Sequence, residues 1–418
     1  MSKLFVASIF VITYCFMACT NPATSKKEEL KNFKEGSFGF DLQFLKRFDS
    51  VIVLGSKDGK AQVIVSPKYQ GKVFTSTATG EDGKSFGWIN YKAFAAPIDP
   101  HMNAYGGENR FWLGPEGGPY SLFFKKGSEM KFENWKTPSP IDTETWNVIK
   151  QDSSSVQLEK KMELVNYKGT QLHLTAERTI SILSEKEIAS MIFFPNGPSN
   201  AQGTSLDSVH SVGYRTNNRI TNTGNMEWNK ESGMPCIWIL DMFTPSSSTT
   251  VIIPFDSAHP NPITTNYFGE IPAERLVRKN GILFFKADGS RRGKLGINPR
   301  AASKIAGSYD ALSNVLTIAI FQSNQNEQYL NQEWTTTKPP FSGDAVNAYN
   351  DGPLEDGTQM GPFYEIESVS PAAFLQPGAS LTHSHIVLHF VGSKPGLDLL
   401  ARKTFGVSLY EIEKALRK

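Results

Sequence analysis

Short apolar segments separated by turn residues recur along the chain from Phe38 onward. They include SVIVLGS, AQVIVSP, KVFTSTATG, SVQLEKKMEL, TQLHLTAERTISIL, SMIFFPN, IWILDMF, TTVIIPF, GILFFKA and NVLTIAIFQ. Asp-Gly pairs at 58–59, 82–83 and 288–289 and the Lys-Gly pair at 168–169 are turn formers between such segments. Because these strand-like segments continue without an internal repeat or an obvious domain break, the pattern predicts one large antiparallel β-sandwich, an all-β fold.

Helical periodicity is scarce in this body and is clearest at the C-terminus. Ser408 can cap the segment LYEIEKALRK, in which Leu409, Ile412 and Leu416 recur at helical spacing. The sequence therefore predicts few helices, with a short C-terminal helix inside a tail at 396–418.

The N-terminus has the pattern of a secretory signal. Lys3 precedes an almost uncharged apolar stretch from Leu4 to Met17, which ends in Ala18-Cys19 and a polar run. A cysteine directly after a small residue is typical of a bacterial lipoprotein, whose cysteine is lipidated and becomes the first residue of the mature chain. The alternatives are a plain signal peptide with an incidental cysteine and an uncleaved anchor.

This pattern divides the chain into four parts. We predict a lipoprotein signal peptide at 1–18, a flexible polar tether at 19–36, a β-sandwich domain at 37–395 and the helical tail. Lipid on Cys19 would anchor the protein to a membrane of the cell envelope, and we expect the outer membrane. We expect the protein to be a monomer.

Composition and charge limit the kinds of partner and cofactor that we expect for this protein. The chain has 43 Lys and Arg against 41 Asp and Glu, so its charge does not indicate a nucleic-acid partner. If Cys19 carries lipid, Cys236 has no disulfide partner, and its apolar neighbours indicate a buried inert thiol. The sequence has no phosphate-binding Gly-rich loop with Lys-Ser/Thr, no G-x-S-x-G and no H-E-x-x-H, and we expect no cofactor.

The segment 101–124, HMNAYGGENRFWLGPEGGPYSLFF, is unusually dense in polar, aromatic and glycine residues. The candidate binding residues in it are His101, Asn103, Tyr105, Glu108, Asn109, Arg110, Trp112 and Glu116. Sugar binding uses this mixture, because carboxylates, amides and Arg bond hydroxyl groups and aromatic faces cover the apolar side of the ring. The alternative is a decorated loop in which Arg110 pairs internally with Glu108 or Glu116.

A probable hairpin at 361–390 carries the second group of candidates. Side chains alternate along a strand, so Glu365 and Glu367 share one face. His383, His385 and His389 share a polar face of the returning strand, and its other face is apolar. Pairing about Leu375 would set Glu365 opposite His385 and Glu367 opposite His383. The group could be a catalytic or substrate face, a metal site, or a solvated face of stabilising Glu–His pairs.

The third group lies at 209–243, where His210, Tyr214, Arg215, Asn217, Asn218 and Arg219 precede a Thr-Asn-Thr-Gly turn. These residues could line a cleft beside the buried segment IWILDMF. Asn-rich strands and turns also satisfy their own backbone well, so a purely structural role is the alternative.

Several of these stretches together resemble the galactose-mutarotase-like (aldose 1-epimerase-like) β-sandwich superfamily. The resemblance rests on YQGKVFTSTATGEDGKSFGWINYKAF, GGENRFWLGPEGG, RITNTG followed by WILDMF, and YEIESVSPAAFLQPGASLTHSHIVLHF. In order along the chain they run from about residue 60 to 392 and look closest to an uncharacterised group of bacterial lipid-anchored proteins with that fold. The epimerase pattern around the first catalytic histidine is not cleanly present.

The resemblance implies a wide two-sheet sandwich whose concave sheet face holds a sugar. By position, Glu365 or Glu367 would be the catalytic base and His101 or His210 the acid. Arg110 would be a ligand of a sugar hydroxyl. Together with Arg110, the predicted substrate-binding residues from the three groups above are Asn103, Glu108, Trp112, Arg215, His383 and His385. No metal ligand is assigned.

The leading hypothesis is a carbohydrate-active envelope lipoprotein that binds a mono- or oligosaccharide and carries out aldose 1-epimerase-type chemistry. The first alternative is a non-catalytic glycan-binding lipoprotein. The second is a metal-dependent glycoside hydrolase or polysaccharide lyase on the same fold, which a chelator would inactivate.

Overall fold

A computed structural model describes residues 32–193 and 208–417 of the chain. One compact unit spans Phe33–Lys418. The predicted signal peptide and the lipidation site at Cys19 lie outside the described residues.

The described residues form many short strands and few helices. The strands are β1 (Ile52–Gly55), β2 (Gln62–Ser66), β3 (Lys72–Thr77), β4 (Asn109–Gly114), β5 (Asn147–Gln151), β6 (Ser155–Val165), β7 (Gln171–Ile182), β8 (Val209–Asn222), β9 (Cys236–Phe243), β10 (Thr249–Pro254), β11 (Ile263–Thr264), β12 (Leu276–Lys279), β13 (Ile282–Lys286), β14 (Gly293–Ile297), β15 (Ile305–Asp310), β16 (Val315–Phe321), β17 (Val346–Asn350), β18 (Tyr364–Val369) and β19 (Ser380–Gly392). The helices are α1 (Phe38–Leu45), α2 (Glu185–Phe193), α3 (Lys394–Phe405) and α4 (Leu409–Ala415). Within the described ranges, none of these helices is long and apolar enough to cross a membrane.

Two large sheets form the sandwich. The nine-stranded sheet has the order β1-β2-β3-β4-β9-β18-β17-β14-β11, and the ten-stranded sheet has the order β12-β13-β10-β15-β16-β19-β8-β7-β6-β5. Neighbouring strands pair antiparallel in both sheets, as between β4 and β9 or β8 and β19. The predicted all-β antiparallel sandwich is therefore confirmed.

The main core lies between the sheets. Residues such as Phe111, Ile239 and Ile366 of the nine-stranded sheet pack there with Leu174 and Val387 of the ten-stranded sheet. Along each strand, residues that point into this core alternate with residues that point away from it. The residues of the nine-stranded sheet on either side of a core residue therefore point to its outer face.

A second apolar cluster covers the outer face of the ten-stranded sheet. Leu388 and Phe390 of β19 pack there against Leu397 of α3 and Ile412 of α4. The predicted C-terminal helix is confirmed as α4, and Ser408 forms its capping box with Glu411. Helices α2, α3 and α4 thus bury this outer face, whereas α1 packs with Ile64 and Phe74 of the nine-stranded sheet. The outer face of that sheet at β4, β9 and β18 carries the polar and aromatic groups described below.

One strand prediction is wrong. The apolar segment SMIFFPN begins inside α2, and its residues beyond Phe193 lie outside the described part of the chain. Ser184 and Glu187 form a reciprocal pair of bonds at the start of α2, with Ser184 N–H donating to the Glu187 carboxylate over 2.9 Å. Ile188 and Ile192, four residues apart, supply its buried face. This capping signal lies upstream of the apolar run, so the run alone gave the wrong element.

Candidate functional site

Three neighbouring strands place their alternate residues on the outer face of the nine-stranded sheet. Arg110 and Trp112 of β4 stand opposite Leu240 and Trp238 of β9. Glu367 of β18 pairs with the same Leu240 from the other side. The period of two along each strand therefore brings residues more than a hundred positions apart onto one surface.

A cavity opens over this surface. Four tryptophans line it, Trp112, Trp135, Trp238 and Trp334, with charged side chains from Arg110, Glu116, Arg292, Lys294 and Glu365. Its volume is about 160 Å³, which is below the ~300–1,000 Å³ of sites for drug-sized ligands. The enclosed space therefore suits one small ring rather than a long buried chain.

Arg110 and Glu365 form a buried ion pair in this cavity through direct contact of Arg110 Nη2 with Glu365 Oε1. The Arg110 guanidinium also lies 5.3 Å from the centre of the Trp112 ring. Burial raises the pKa of Glu365 to about 7, although the charge of Arg110 opposes that shift. Near neutral pH, Glu365 can therefore both accept and release a proton.

Lys294 and Glu367 form a second buried pair beside the first. Lys294 Nζ lies 3.0 Å from both oxygens of Glu367, whose Oε2 also accepts a 2.9 Å hydrogen bond from Trp238 Nε1. Burial alone would lower the pKa of Lys294, but Glu367 and Glu116 outweigh it and raise the pKa. Burial raises the pKa of Glu116 itself, although the charge of Lys294 opposes that shift.

The loop after β4 brings Glu116 to the cavity by a close backbone approach. Glu116 N–H donates a 2.6 Å hydrogen bond to Gln332 Oε1, and a Cβ at Gly117 would collide with the Glu333 carbonyl. Only glycine fits at that position, so the loop that carries Trp334 can lie directly against the segment that carries Glu116.

The histidines of β19 occupy a different place from the predicted one. β18 and β19 belong to different sheets, so the predicted pairing of Glu365 with His385 and of Glu367 with His383 is wrong. His385 Nε2 lies 2.8 Å from Asp241 Oδ2, and Ser368 Oγ lies 2.8 Å from both His385 Nδ1 and His383 Nε2.

Polar partners from the facing sheet explain why these histidines lie inside. Ser368 and Asp241 point inward from the nine-stranded sheet, and His389 Nε2 lies 3.0 Å from the buried Glu108 Oε1. The apolar face of β19 is the one covered by the C-terminal helices. The polar face of this strand is therefore an internal network between the sheets rather than part of the cavity.

The remaining candidates from the sequence are dispersed. His101 lies next to the cavity, stacked on Phe132 with ring centres 4.7 Å apart, and Asn103 donates a 2.8 Å hydrogen bond to Asp142. His210 is exposed on β8, where it lines a separate cavity of about 720 Å³, and Arg215 is half-buried on the same strand. Of the predicted site residues, Arg110, Trp112, Glu116 and Glu365 line the cavity, and Glu367 holds Lys294 beside it.

Several residues of the site carry no motif in the sequence. Lys294 lies in the strand GKLGI, Tyr349 in the strand VNAYN, and Trp334 in a loop. The available signal was a single charged or aromatic residue in a short strand, which by itself does not reveal a shared cavity. Their convergence depends on strand order, which places β17 next to β18 and β14 next to β17.

Four other cavities have no tryptophan in their lining. The one bounded by 321–324, 371–375 and 381–383 is larger, at about 710 Å³, but its charged side chains are Lys304 and Glu327. Within residues 32–193 and 208–417, no group of three or more His, Cys, Asp or Glu side chains is placed to hold a metal ion.

Comparison with known proteins gives a family and several similar folds. No curated protein matches the chain in sequence. Similar solved structures include a galactose mutarotase-like protein from Lactobacillus casei (10% identity, 81% of this chain and 100% of that one, TM-score 0.48). A galactose mutarotase related enzyme from Lactobacillus acidophilus is also similar (8% identity, 82% of this chain and 97% of that one, TM-score 0.42).

A third similar structure is a protein from Synechocystis sp. PCC 6803 (12% identity, 87% of this chain and 100% of that one, TM-score 0.47). Two of the three thus carry the mutarotase description that the sequence resemblance named, at identities too low to transfer an activity. The sequence itself matches a family model over residues 36–416, and the chain belongs to that family, DUF6786, a family of unknown function.

Proposed function

We propose that the cavity on the outer face of the nine-stranded sheet binds a sugar. The observation that carries the proposal is the Arg110–Glu365 ion pair among four tryptophans. Tryptophan faces suit the C–H side of a sugar ring, while the carboxylate and guanidinium suit its hydroxyl groups. The small enclosed volume favours one monosaccharide unit, either free or at the end of a longer glycan.

Aldose 1-epimerisation is the reaction that we assign to this site. Glu365 would take the proton of the anomeric hydroxyl while an acid protonates the ring oxygen. The bond between the anomeric carbon and the ring oxygen then breaks, the carbonyl group rotates, and the reverse steps give the other anomer. Glu116 is our candidate acid, because it is a second carboxyl group that lines the same cavity as Glu365 and burial raises its pKa.

A binding protein without catalysis is the second candidate. Glu365 and Glu367 are each held in an ion pair with a cation, and such pairing favours fixed ligand contacts over proton transfer. On this hypothesis, sugar affinity depends on Arg110 and Glu365 but no anomer is interconverted.

One experiment separates the two candidates. Anomer exchange is measured by NMR for a panel of aldoses with the wild-type chain and with Glu365→Gln, and binding of the same sugars is measured by calorimetry. We expect exchange above the spontaneous rate that Glu365→Gln abolishes, whereas Glu231→Gln, an exposed control, leaves it intact. Binding without exchange would favour the second candidate, and absence of binding by every aldose would contradict both.

We further propose that lipid on Cys19 anchors the protein to the outer membrane. The support is the sequence pattern of an apolar stretch ending in Ala18-Cys19. Cell fractionation of the wild-type chain and Cys19→Ala tests this proposal. The wild-type protein should enter the membrane fraction and the variant should not, and equal distribution of the two would contradict lipidation.

A further inference from the structure

Arg292 lies at the rim of the cavity, where neighbouring side chains hold its guanidinium group. Its Nε donates a 3.2 Å hydrogen bond to Tyr349 Oη, and its guanidinium lies 3.8 Å from the centre of the Phe268 ring. Tyr349 in turn donates a 2.8 Å hydrogen bond to Asp351 Oδ1, which fixes the tyrosine hydroxyl. One edge and one face of the guanidinium are therefore held in place, although Arg292 itself is exposed.

The other cations of the cavity already have carboxylate partners. Arg110 is paired with Glu365, and Lys294 with Glu367. Among the residues that the structure describes, no ion pair joins Arg292 to a carboxylate, and its Nη1 and Nη2 have no hydrogen-bond partner. The open edge presents the N–H groups of Nη1 and Nη2, and such an edge can bind a planar carboxylate through two parallel hydrogen bonds.

We propose that the ligand is an acidic sugar whose carboxylate pairs with Arg292. The inference rests on the proposed sugar-binding function and adds the substrate class, a uronic acid or a glycan that ends in one. Because the guanidinium is already stacked and hydrogen-bonded, its two open N–H groups are held in position. The side chain therefore loses little conformational freedom when the carboxylate binds. Tryptophan faces in the same cavity would hold the sugar ring next to it.

The test is calorimetric titration of the full chain with glucuronic and galacturonic acid, with glucose and galactose, and with glucose 6-phosphate. We expect each uronic acid to bind about tenfold or more tightly than its neutral parent, in line with a charge-assisted bidentate contact. Arg292→Ala should remove that preference, so that each uronic acid binds no more tightly than its neutral parent. Arg292→Lys should restore only part of it, because an ammonium group lacks the fork.

Arg291, the exposed neighbour of Arg292, is the matched control. Arg291→Ala removes the same charge next to the site and should leave the preference for uronic acids intact. Equal binding of uronic acids and their neutral parents, or a preference that survives Arg292→Ala, would overturn the inference while sugar binding stands. Tighter binding of glucose 6-phosphate than of glucuronic acid would contradict the carboxylate assignment, and absence of binding by any sugar would contradict the proposed function as well.

Discussion

Replacement of His385 is the sharpest test of the polar network between the two sheets. Its side chain is fully buried, with 2.8 Å contacts from Nε2 to Asp241 Oδ2 and from Nδ1 to Ser368 Oγ. His385→Ala removes both contacts and leaves the buried Asp241 carboxylate with fewer donors. Leaving a buried polar group without its hydrogen-bond partner costs about 1–3 kcal/mol, and the space left by the ring adds to that cost. We therefore expect the free energy of unfolding to fall by about 3 kcal/mol.

Urea denaturation followed by tryptophan fluorescence measures this loss, provided that unfolding is reversible. His210→Ala is the matched control, because His210 is exposed on β8 and its removal should cost no more than about 0.5 kcal/mol. Asp241→Asn combined with His385→Ala should cost less than the sum of the single changes, since both remove the same contact. A loss below about 1 kcal/mol for His385→Ala would refute the buried pair and favour the solvated histidine face predicted from the sequence.

Three further changes have defined outcomes. Glu365 has a folded-state pKa of about 7 against an ordinary value of 4.5, so its contribution to stability is lost as the pH rises through that window. Glu365→Gln should make the free energy of unfolding less dependent on pH in that window. An unchanged dependence would argue against the raised pKa of Glu365. Burial lowers the pKa of His383 from 6.5 to about 3, so stability is lost as the pH falls from 6.5; His383→Gln should reduce that loss in acid denaturation. Ser408→Ala removes the capping box of α4 and should lower the free energy of unfolding by about 1 kcal/mol in urea titrations, whereas no change would mean that the cap is dispensable.

The sequence predicted which segments form strands better than it predicted what each face of a strand packs against. Apolar runs such as IWILDMF became β9, and the cap at Ser408 marked α4, because both signals are local. The face of β19 could not be read from alternation alone, since both of its faces are buried, one by polar partners and the other by helices. Alternation shows which side chains share a face but not which face is covered.

The site was predicted in part for the same reason. Arg110 stood out because it lies in a segment rich in polar and aromatic residues, and Glu365 because it alternates with Glu367 along a predicted strand. Lys294 lies in β14 and Arg292 directly before it, and β14 pairs with β17 in the sheet, so only strand order brings them to the cavity. Information about order between distant strands is not present in any short segment.

A ligand-induced thermal shift tests sugar binding in the tryptophan-lined cavity most directly. The full chain is heated with each neutral and acidic monosaccharide, and the measurement is repeated with Trp334→Ala at the cavity and with Tyr410→Ala, an exposed aromatic residue on α4. A sugar at 100 times its dissociation constant adds about 2.7 kcal/mol of stability. We predict that at least one class of sugar raises the melting temperature of the wild-type chain and of Tyr410→Ala but not of Trp334→Ala. No shift with any sugar, or an equal shift in all three proteins, would contradict a sugar site in this cavity.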